Sequence, residues 1–414
     1  MDVDNKLQEL ESLLAQHNHF RDNCLNLIAS ENVPSPLVER MLSAELDRRY
    51  GYYLGIDVHD RWYLGNRYIA QIEELAQQLA SELFHAEFVD LRPLSGNIAG
   101  IAATFGLARA GDTVLEVYNG HTYANKLATA PLKVDLKSIE IPWDGPTYSI
   151  DLDQTLALIE QHRPSVVNIG SGLFLFPSPV RKIKEAMRKH NPDSYLIYDA
   201  AHVLGLIAGG LFQDPLAEGA DVVISSTHKT FAGPQGGLIL TNDRAIAELM
   251  GEALSPLLIA NHHLGRLPAL AATFLEWLHC GPAHAAAIVA NAKALGRALH
   301  ERGVLLVGAD RGFTETHTLL LVVDQFGESR PVADRLEACN IITGSSSAPA
   351  ELGTHGLRIG SQELTRCGMV EEDAPEIADC LVDALHGRDL ENVKTRATKL
   401  AQRFQRICFT LDSA

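Results

Sequence analysis

The chain has 414 residues, 46% of them hydrophobic, which is enough to bury a large core and to form two unequal parts. Its formal net charge of −17 leaves no basic surface for nucleic acid, so we expect no nucleic-acid partner. No uninterrupted apolar stretch is long enough to span a bilayer, so we expect no membrane partner. The first residues lack a secretion signal and the six cysteines are scattered singly, so we expect a cytoplasmic location.

Four segments follow one another along the chain. We expect residues 1–36 to form an N-terminal helix and an arm, 37–260 a large domain, 261–300 linking helices and 301–414 a small C-terminal domain. In the large domain, apolar runs such as TVLEVYNG, SYLIYDA and DVVISST alternate with helical patterns such as QIEELAQQLASELF. This alternation predicts an α/β fold with a mainly parallel sheet and helices on both faces, joined to a smaller α+β domain.

The first candidate site is the phosphate cup, Ser95, Gly96 and Asn97, at the head of the alanine-rich pattern IAGIAATFGLA. Backbone amides at the start of a helix attract anions, and small residues allow a phosphate to approach closely. Such trios also begin many ordinary helices. The phosphate cup is therefore one reading of this segment and a plain helix start is the other.

The second candidate is the segment SYLIYDAAHVLGL, in which an apolar run ends at Asp199 and His202 follows. In open α/β sheets, ligands bind at the carboxyl ends of the strands. An aspartate there can pair with a protonated pyridine nitrogen and keep the ring an electron sink. Alternatively, Asp199 caps the start of a helix.

The third candidate is DVVISSTHKTFAGPQGG, in which Ser226, Thr227, His228 and Lys229 lie between an apolar run and a glycine-rich turn. A lysine held there is partly desolvated, and its neutral amine can attack a carbonyl, as a Schiff-base lysine must. The alternative is a solvated lysine at a strand end. The order of a phosphate cup, an acid and a lysine is typical of a pyridoxal 5'-phosphate enzyme.

With these segments in this order, the chain resembles the serine hydroxymethyltransferase family, which has the aspartate-aminotransferase-like fold (pyridoxal phosphate fold type I). LNLIASENVPSPLV, YNGHTYAN and GLRIGSQELTRCGM also match, so the resemblance covers nearly the whole chain. It implies that 37–260 is the cofactor-binding domain and that Lys229 binds pyridoxal phosphate covalently. It also implies that Asp199 pairs with the pyridine nitrogen. His121 would stack on the cofactor ring, where it could also meet a substrate hydroxyl.

The resemblance assigns further contacts around the cofactor and the substrate. The phosphate cup would hold the phosphate, with Ser226 and His228 nearby, while His202 and Thr227 would lie near the phenolic oxygen and the substrate. Ser30 and Arg358 would bind the α-carboxylate of an amino acid. A guanidinium suits that role because it clamps a carboxylate with two hydrogen bonds, although an ordinary salt-bridge arginine is the alternative.

The chain departs from the family at RRYGYYLGIDVHDRWYLGNRY. Tyr50 and Tyr63 match two family tyrosines and are expected to contact the substrate. Tyr52 takes the place of the catalytic glutamate between them, and a short insertion brings in Asp57 and Asp60. Because that glutamate serves folate-dependent one-carbon transfer, its loss argues against serine hydroxymethyl transfer. An aspartate could replace it only if the insertion folds back into the site.

A second departure is SPLLIANHHLGRLPAL, where the family has a Gly-Gly-Pro phosphate contact donated by the neighbouring subunit. Here Asn261, His262 and His263 occupy the segment, which puts that contact in doubt. A homodimer with shared active sites is still the expectation. The two histidines would point in different directions on a helix and no third ligand is evident, so we predict no metal.

These departures resemble the non-folate branches of the family, especially the threonine transaldolases of specialised metabolism. The implied reaction on the L-α-amino acid is retro-aldol cleavage of threonine, which releases acetaldehyde and leaves a glycyl quinonoid to which a second aldehyde can add. The alternatives are a C–S β-eliminating lyase and a decarboxylating or deaminating enzyme on an amino-acid conjugate. Folate-dependent hydroxymethyl transfer and a catalytically silent homologue are less favoured.

The departing segment RRYGYYLGIDVHDRWYLGNRY is rich in aromatic residues, which would suit an entrance for a bulky substrate: Tyr50, Tyr52, Tyr53, Trp62 and Tyr63. Core packing with a dimer contact explains them equally well.

Overall fold

The computed structural model describes residues 3–117, 120–129, 133–145 and 147–411. These residues form two compact units. The large unit runs from Ser30 to Ala286 and includes the residues from Phe409, and the small unit contains the residues up to Ala29 together with Ala287–Cys408. The segment boundaries expected at residues 36, 260 and 300 stay a prediction.

The secondary structure alternates between helices and strands through the large unit, as the pattern of apolar runs predicts. The strands are β1 (Leu25–Asn26), β2 (Phe88–Asp90), β3 (Thr113–Val117), β4 (Lys137–Ile141), β5 (Trp143–Asp144), β6 (Ser149–Ile150), β7 (Val166–Gly170), β8 (Tyr195–Asp199), β9 (Val222–Ser226), β10 (Gly237–Thr241), β11 (Leu305–Leu306), β12 (Thr318–Val322), β13 (Ile341–Ile342), β14 (Gly344–Ser347) and β15 (His355–Gly360). The helices are α1 (Val3–Asp22), α2 (Pro36–Arg40), α3 (Arg67–Phe84), α4 (Gly96–Leu107), α5 (Tyr123–Thr129), α6 (Leu152–His162), α7 (Val180–His190), α8 (Leu204–Ala208), α9 (Pro215–Glu218), α10 (Arg244–Glu252), α11 (Leu267–Glu301), α12 (Ser329–Ala338), α13 (Gln362–Arg366), α14 (Ala374–His386) and α15 (Leu390–Arg403).

The large unit is built on a sheet of seven strands within the described residues, in the order β2-β10-β9-β8-β7-β3-β4. Strands β3, β4, β7, β8 and β9 are parallel, and β10 is antiparallel to both β9 and β2. Every residue of β7, β9 and β10 is buried, as expected for strands covered on both faces. The predicted α/β fold with a mainly parallel sheet is confirmed.

The small unit has an antiparallel sheet in the order β11-β12-β15-β14, and β1 pairs in parallel with β13. Its core includes the buried side chains Leu319, Leu321 and Leu381. The C-terminal helix α15 packs Val393 and Leu400 into the same core. Within the part of the chain that is described, no helix combines the length and the apolar character needed to cross a membrane.

The two outer strands of the large sheet differ in how their free edges are covered. Strand β2 is three residues long, and the side chain of Gln77 on α3 donates a hydrogen bond to the carbonyl oxygen of Val89, at 2.9 Å. Strand β4 carries Lys137 and Glu140, both exposed. Side-chain polar groups therefore flank both edges.

A buried carboxylate joins three parts of the large unit. Glu73 on α3 is fully buried and accepts hydrogen bonds from Tyr53 Oη at 3.0 Å, from His262 Nε2 at 3.0 Å and from Arg61 Nη2. Burial alone would raise the pKa of Glu73, but His262 and Arg61 lower it to about 2. The carboxylate is therefore ionised and ties α3 to the insertion and to the segment before α11.

The same cluster favours one of the two readings of the aromatic stretch for Tyr53. This residue is 2% exposed, with the Arg92 guanidinium 4.4 Å from its ring centroid, as core packing requires. The Tyr53 hydroxyl donates to the Glu73 carboxylate, and the guanidinium groups of Arg61 and Arg92 lie over its ring. His262 is likewise buried, whereas His263 is exposed.

Replacing Glu73 by glutamine should destabilise the protein, because it leaves the Arg61 guanidinium buried without a carboxylate. We expect the free energy of unfolding, measured by urea denaturation with circular dichroism, to fall by about 3 kcal/mol near neutral pH. Because folding lowers the Glu73 pKa from 4.5 to about 2, the contribution of this carboxylate is fully present above pH 4.5 and is lost as the pH falls from 4.5 to about 2.

The matched control is Glu74→Gln on the same helix, where the side chain is 46% exposed and lies 3.2 Å from His59. That change should alter stability by no more than about 1 kcal/mol. Equal losses in the two variants would contradict the role given to the buried cluster.

Candidate active site

Asp199 and the segment that carries Lys229 lie side by side at the carboxyl-terminal end of the parallel strands. Asp199 is the last residue of β8, and Ser226 is the last residue of the adjacent parallel strand β9. The chain then forms a tight turn in which Gly233 N donates to Thr227 O at 2.8 Å and Ala232 N donates to Lys229 O at 3.0 Å. Lys229 therefore follows the strand on a turn that is held by its own backbone.

The side chain of Lys229 lies against His202. Its Nζ atom is 3.2 Å from His202 Nε2, and the lysine is half-buried. The hydroxyl of Thr230 donates to His202 O at 2.9 Å and accepts from Gly205 N at 3.1 Å. This hydroxyl therefore fixes the lysine turn to the segment that carries His202.

The hydroxyl of Thr227 is used within the turn. Thr227 is fully buried and its Oγ1 donates to Pro234 O at 2.5 Å. The structure thus gives Thr227 a part in shaping the turn, and its predicted place in the chemistry stays a prediction.

Asp199 is buried, with 1% of its surface exposed, and the protein surrounds its carboxylate with donors. Oδ2 lies 2.6 Å from His121 Nδ1 and accepts from Tyr123 Oη at 2.7 Å, while Oδ1 accepts from Ala201 N at 2.9 Å. Burial by itself would raise the pKa of Asp199, but His121 and the other donors hold it below its usual value. The carboxylate is ionised at neutral pH and can face a cation.

His121 reaches Asp199 because two glycines allow the backbones to approach. A Cβ atom on Gly120 would lie 2.1 Å from Gly170 O, and one on Gly170 would lie 2.7 Å from Asp199 Cβ. The backbone of His121 is fixed by its N–H, which donates to Gly170 O at 3.0 Å. The His121 ring centroid is 5.9 Å from that of His202, so His121, Asp199, His202 and Lys229 form one cluster.

The phosphate cup lies at the start of α4. Ser95 is the N-cap, with its Oγ accepting from Ile98 N at 3.2 Å, and Asn97 is exposed. A Cβ on Gly96 would lie 2.8 Å from Ser226 N, so the helix start packs directly on the end of β9. The positive end of a helix of twelve residues is thereby presented beside the lysine segment.

Ser226 and His228 flank this helix start differently. Ser226 is 4% exposed and its Oγ donates to Ala201 O at 3.3 Å. His228 is half-buried, and its Nδ1 has no hydrogen-bond partner among the described residues. Burial, and then the charge of Lys229, lower the pKa of His228, so this ring is neutral near pH 7.

These features fit pyridoxal phosphate. The amides at the start of α4 and the uncommitted His228 Nδ1 suit a phosphate, the ionised Asp199 suits a pyridinium nitrogen, and Lys229 suits an aldehyde carbon. The placement of the predicted cofactor residues is therefore consistent with the group, and their individual roles stay predictions.

The insertion loop, residues 53–61, closes on itself. Tyr53 and Arg61 form an antiparallel bridge, and Trp62 N donates to Tyr52 O at 3.0 Å. Asp57 Oδ1 accepts from His59 N at 2.8 Å. Asp57 also lines a cavity of about 500 Å³, with walls that include residues of α3, β2, β10 and α10, and Lys229 is not among its lining residues. Asp60 is exposed.

Tyr50 and Tyr63 come together at the base of this loop. Their ring centroids are 4.9 Å apart in an edge-to-face arrangement, and the residues are 45% and 47% exposed. Asn66 holds the pair by donating to Tyr50 O at 2.9 Å and to Tyr63 O at 3.0 Å. Two of the five aromatic residues proposed for an entrance thus form a contact near the surface.

The two residues predicted to bind the α-carboxylate lie in different units. Ser30 is half-buried at the start of the large unit. Arg358 is half-buried on β15 of the small unit, opposite Leu320 and Gly344. Their shared role stays a prediction.

Two residues near the site, Tyr123 and Arg266, are not among those predicted from the sequence. Tyr123 donates to Asp199, although it lies only two residues beyond His121 in the matched segment YNGHTYAN. Arg266 is buried and donates through Nη2 to Leu91 O and to Pro93 O, which supports the chain just before the phosphate cup; burial lowers its pKa to about 10. Arg266 could have been suspected as a charged residue beside the apolar run LPAL, whereas Tyr123 carries no such signal in its polar segment.

Comparisons with known proteins agree with this geometry. Residues 3–381 match the family described as serine hydroxymethyltransferase. A serine hydroxymethyltransferase of Pyrobaculum aerophilum is 39% identical over 96% of this chain and 93% of its own length. One of Methanopyrus kandleri is 40% identical over 96% and 94%. The crystal structure of L-threonine transaldolase from Pseudomonas fluorescens in its internal aldimine state has a TM-score of 0.91 at 27% identity, covering 99% of this chain and 94% of that one.

Gly96→Ala should weaken cofactor binding, because the new methyl group would lie 2.8 Å from the backbone nitrogen of Ser226 and displace the start of α4. We expect the dissociation constant for pyridoxal phosphate, measured by absorbance titration of the apoenzyme, to rise roughly tenfold, by loss of close amide contacts.

Gly106→Ala on the same helix is the matched control, since a Cβ there meets the flexible end of Met250 at 2.3 Å. The control should bind the cofactor as the wild type does. Unchanged affinity in Gly96→Ala would exclude the start of α4 as the phosphate site.

Proposed function

The chain belongs to the serine hydroxymethyltransferase family and is a pyridoxal phosphate enzyme of the transferase class, and we propose that it cleaves the Cα–Cβ bond of L-threonine or a related β-hydroxy amino acid. A second aldehyde then takes the place of the acetaldehyde released. The proposed activity is that of a threonine aldolase or transaldolase.

The observation that carries this proposal is the closed insertion loop. Tyr52 stands where the resemblance places the family's glutamate, and Asp57 is held by its own turn and lines a separate cavity. The hydrogen bond that holds Asp57 within its own turn supports the view that this carboxylate does not replace the glutamate in folate-dependent transfer. The structural likeness to a protein named L-threonine transaldolase supports the same branch of the family.

Pyridoxal phosphate, when bound, supplies an electron sink for the negative charge left at Cα. In our proposal Lys229 Nζ holds the cofactor, and the Asp199 carboxylate supports a protonated ring nitrogen. Because Asp199 accepts from the Nδ1 side of His121, the Nε2 atom of that ring is left to accept a proton. We assign to His121 the removal of the β-hydroxyl proton of threonine and its return to the oxygen of the new aldehyde.

The amino acid is oriented by residues outside this cluster. Arg358 and Ser30 bind its α-carboxylate in the proposal, and the Tyr50–Tyr63 pair contacts the side-chain end of the substrate. A fixed carboxylate would determine which bond at Cα is presented for cleavage. Selection of the Cα–Cβ bond thus rests on Arg358.

We also propose that the enzyme acts as a homodimer, as the family resemblance implies. Support comes from α1, in which no described residue is buried and Leu7, Leu10 and Leu14 are 53%, 63% and 61% exposed. These leucines recur at helical spacing, and an exposed apolar stripe of this kind is typical of an interface.

The holoenzyme is expected to release acetaldehyde from L-threonine, measured by coupling to alcohol dehydrogenase. Its turnover of L-serine with tetrahydrofolate should be roughly a hundredfold slower than its turnover of L-threonine, since it lacks the family's glutamate. Lys229→Ala should lose both the visible absorbance of the bound cofactor and acetaldehyde release. Full activity in Lys229→Ala would refute the mechanism.

Assays for the other products, pyruvate, thiols and the one-carbon folate, separate the other branches. Pyruvate or a thiol from a cysteine S-conjugate, with threonine inert, would assign the enzyme to the C–S lyases. Rapid folate-dependent turnover of serine would assign it to the hydroxymethyltransferases. Either result would overturn the proposal.

Arg358→Ala should raise the dissociation constant of L-threonine by roughly tenfold to a hundredfold, the effect of a charge-assisted hydrogen-bonded pair, while cofactor affinity stays unchanged. Spectral titration of the holoenzyme with threonine measures it. Arg358→Lys is the matched variant: it keeps the charge but loses the two-pronged geometry, and we expect only partial recovery. Wild-type threonine affinity in both variants would exclude Arg358 from the substrate site.

A further inference from the structure

The hydroxyl of Tyr123 has no part in the chemistry assigned so far, yet it contacts the central acid of the site. Tyr123 is 3% exposed, and its Oη donates to Asp199 Oδ2 at 2.7 Å. The same oxygen lies 2.6 Å from His121 Nδ1, while Ala201 N binds the other oxygen. Two side-chain donors therefore converge on one carboxylate oxygen.

The backbone of Tyr123 is held by another buried carboxylate. Glu116, the next-to-last residue of β3, is fully buried and accepts from the backbone nitrogens of Tyr123, Ala124 and Asn125, the last two at 2.9 Å. Ser138 Oγ donates to the same carboxylate at 3.0 Å. The first turn of α5, and with it Tyr123, is thus fixed to the sheet.

The ring of Tyr123 reaches Asp199 across α4. A Cβ on Gly100 would lie 2.0–2.4 Å from three ring carbons of Tyr123, so only a residue without a side chain leaves room for the ring. Gly100 belongs to the helix whose start forms the phosphate cup. The helix that is expected to hold the cofactor's phosphate also admits the tyrosine to the acid.

The hydroxyl has a specific consequence for a proton shared between Asp199 and a pyridine nitrogen. In a buried site the pair can exist as carboxylate and pyridinium or, after proton transfer, as carboxylic acid and neutral pyridine, and burial favours the neutral pair. A hydrogen bond donated to the carboxylate favours its ionised form. Burial and the negative charge of Asp199 raise the pKa of Tyr123, so the phenol stays protonated and acts as a donor.

We propose that Tyr123 is a positioning residue that keeps Asp199 ionised, so that the shared proton stays on the ring nitrogen of the cofactor. The inference rests on the proposed pairing of Asp199 with that nitrogen. Its effect is on the electron sink: a protonated ring accepts negative charge from Cα, and a neutral ring accepts it less well.

The test is nitrogen NMR of apoenzyme reconstituted with pyridoxal phosphate carrying ¹⁵N in the ring. The wild type should show the shift of a protonated ring. In Tyr123→Phe the proton should move along the hydrogen bond toward Asp199, and the shift should move toward that of the neutral ring, for a roughly tenfold change in the equilibrium between the two proton positions. Gly100→Ala should move it in the same direction, because the added methyl group displaces the tyrosine ring.

Tyr198→Phe is the matched control. Tyr198 is fully buried and adjoins Asp199 in sequence, but its hydroxyl donates to Gln213 Oε1 at 3.2 Å. It should keep the wild-type nitrogen shift. Circular dichroism and cofactor occupancy confirm that each variant is folded and loaded.

Asp199→Asn separates this inference from the function it rests on. A wild-type nitrogen shift in Tyr123→Phe, with a changed shift in Asp199→Asn, would overturn the role of Tyr123 and leave Asp199 as the partner of the ring. A wild-type shift in Asp199→Asn would overturn the pairing itself, and the role of Tyr123 with it.

Discussion

A carboxylate at the end of a central strand, away from water, must be solvated by the protein. Asp199 is in this position, and an ionised group that is neither paired nor hydrogen-bonded would be strongly destabilising. The surrounding segments meet this requirement: the loop before α5 places His121 Nδ1 against it, α5 places the Tyr123 hydroxyl, and the chain after β8 supplies an amide. The close approach at Gly170 follows from the same need, since a side chain there would displace the acid.

The large unit contains a second carboxylate of this kind, and the two act on different parts of the molecule. Glu73 gathers Tyr53, Arg61 and His262 and so determines the shape of the insertion loop. Asp199 binds His121, Tyr123 and the Ala201 amide, beside the residues that fit a cofactor ring. Tyr50 and Tyr63, at the base of that loop, are joined to the first network through the backbone of the loop. A change in the loop can therefore move this tyrosine pair without disturbing Asp199 and Lys229.

Much of the fold and part of the site could be predicted from the sequence, because strand ends in parallel sheets follow a local rule. Asp199 and Lys229 each follow an apolar run, and their segments lie side by side at the carboxyl-terminal end of the parallel strands. Tyr123 could not be predicted, since its contact with Asp199 joins residues 76 positions apart and depends on a glycine in a third segment. For Tyr53 the sequence left an entrance and core packing equally open, because a tyrosine in a polar, aromatic stretch carries no mark of burial and its partners Arg92 and Glu73 lie in other segments. The roles of the individual site residues stay predictions.

The two outer strands of the large sheet bear on how this protein behaves at high concentration. A free strand edge can pair with the edge of another molecule, and such pairing is a route to aggregation. At β2 the edge is three residues long and Gln77 occupies the Val89 carbonyl, and at β4 the exposed Lys137 and Glu140 would place charges at any new pairing. The polar groups on both edges thus disfavour edge-to-edge association, and the sheet is protected by side chains that take no part in its chemistry.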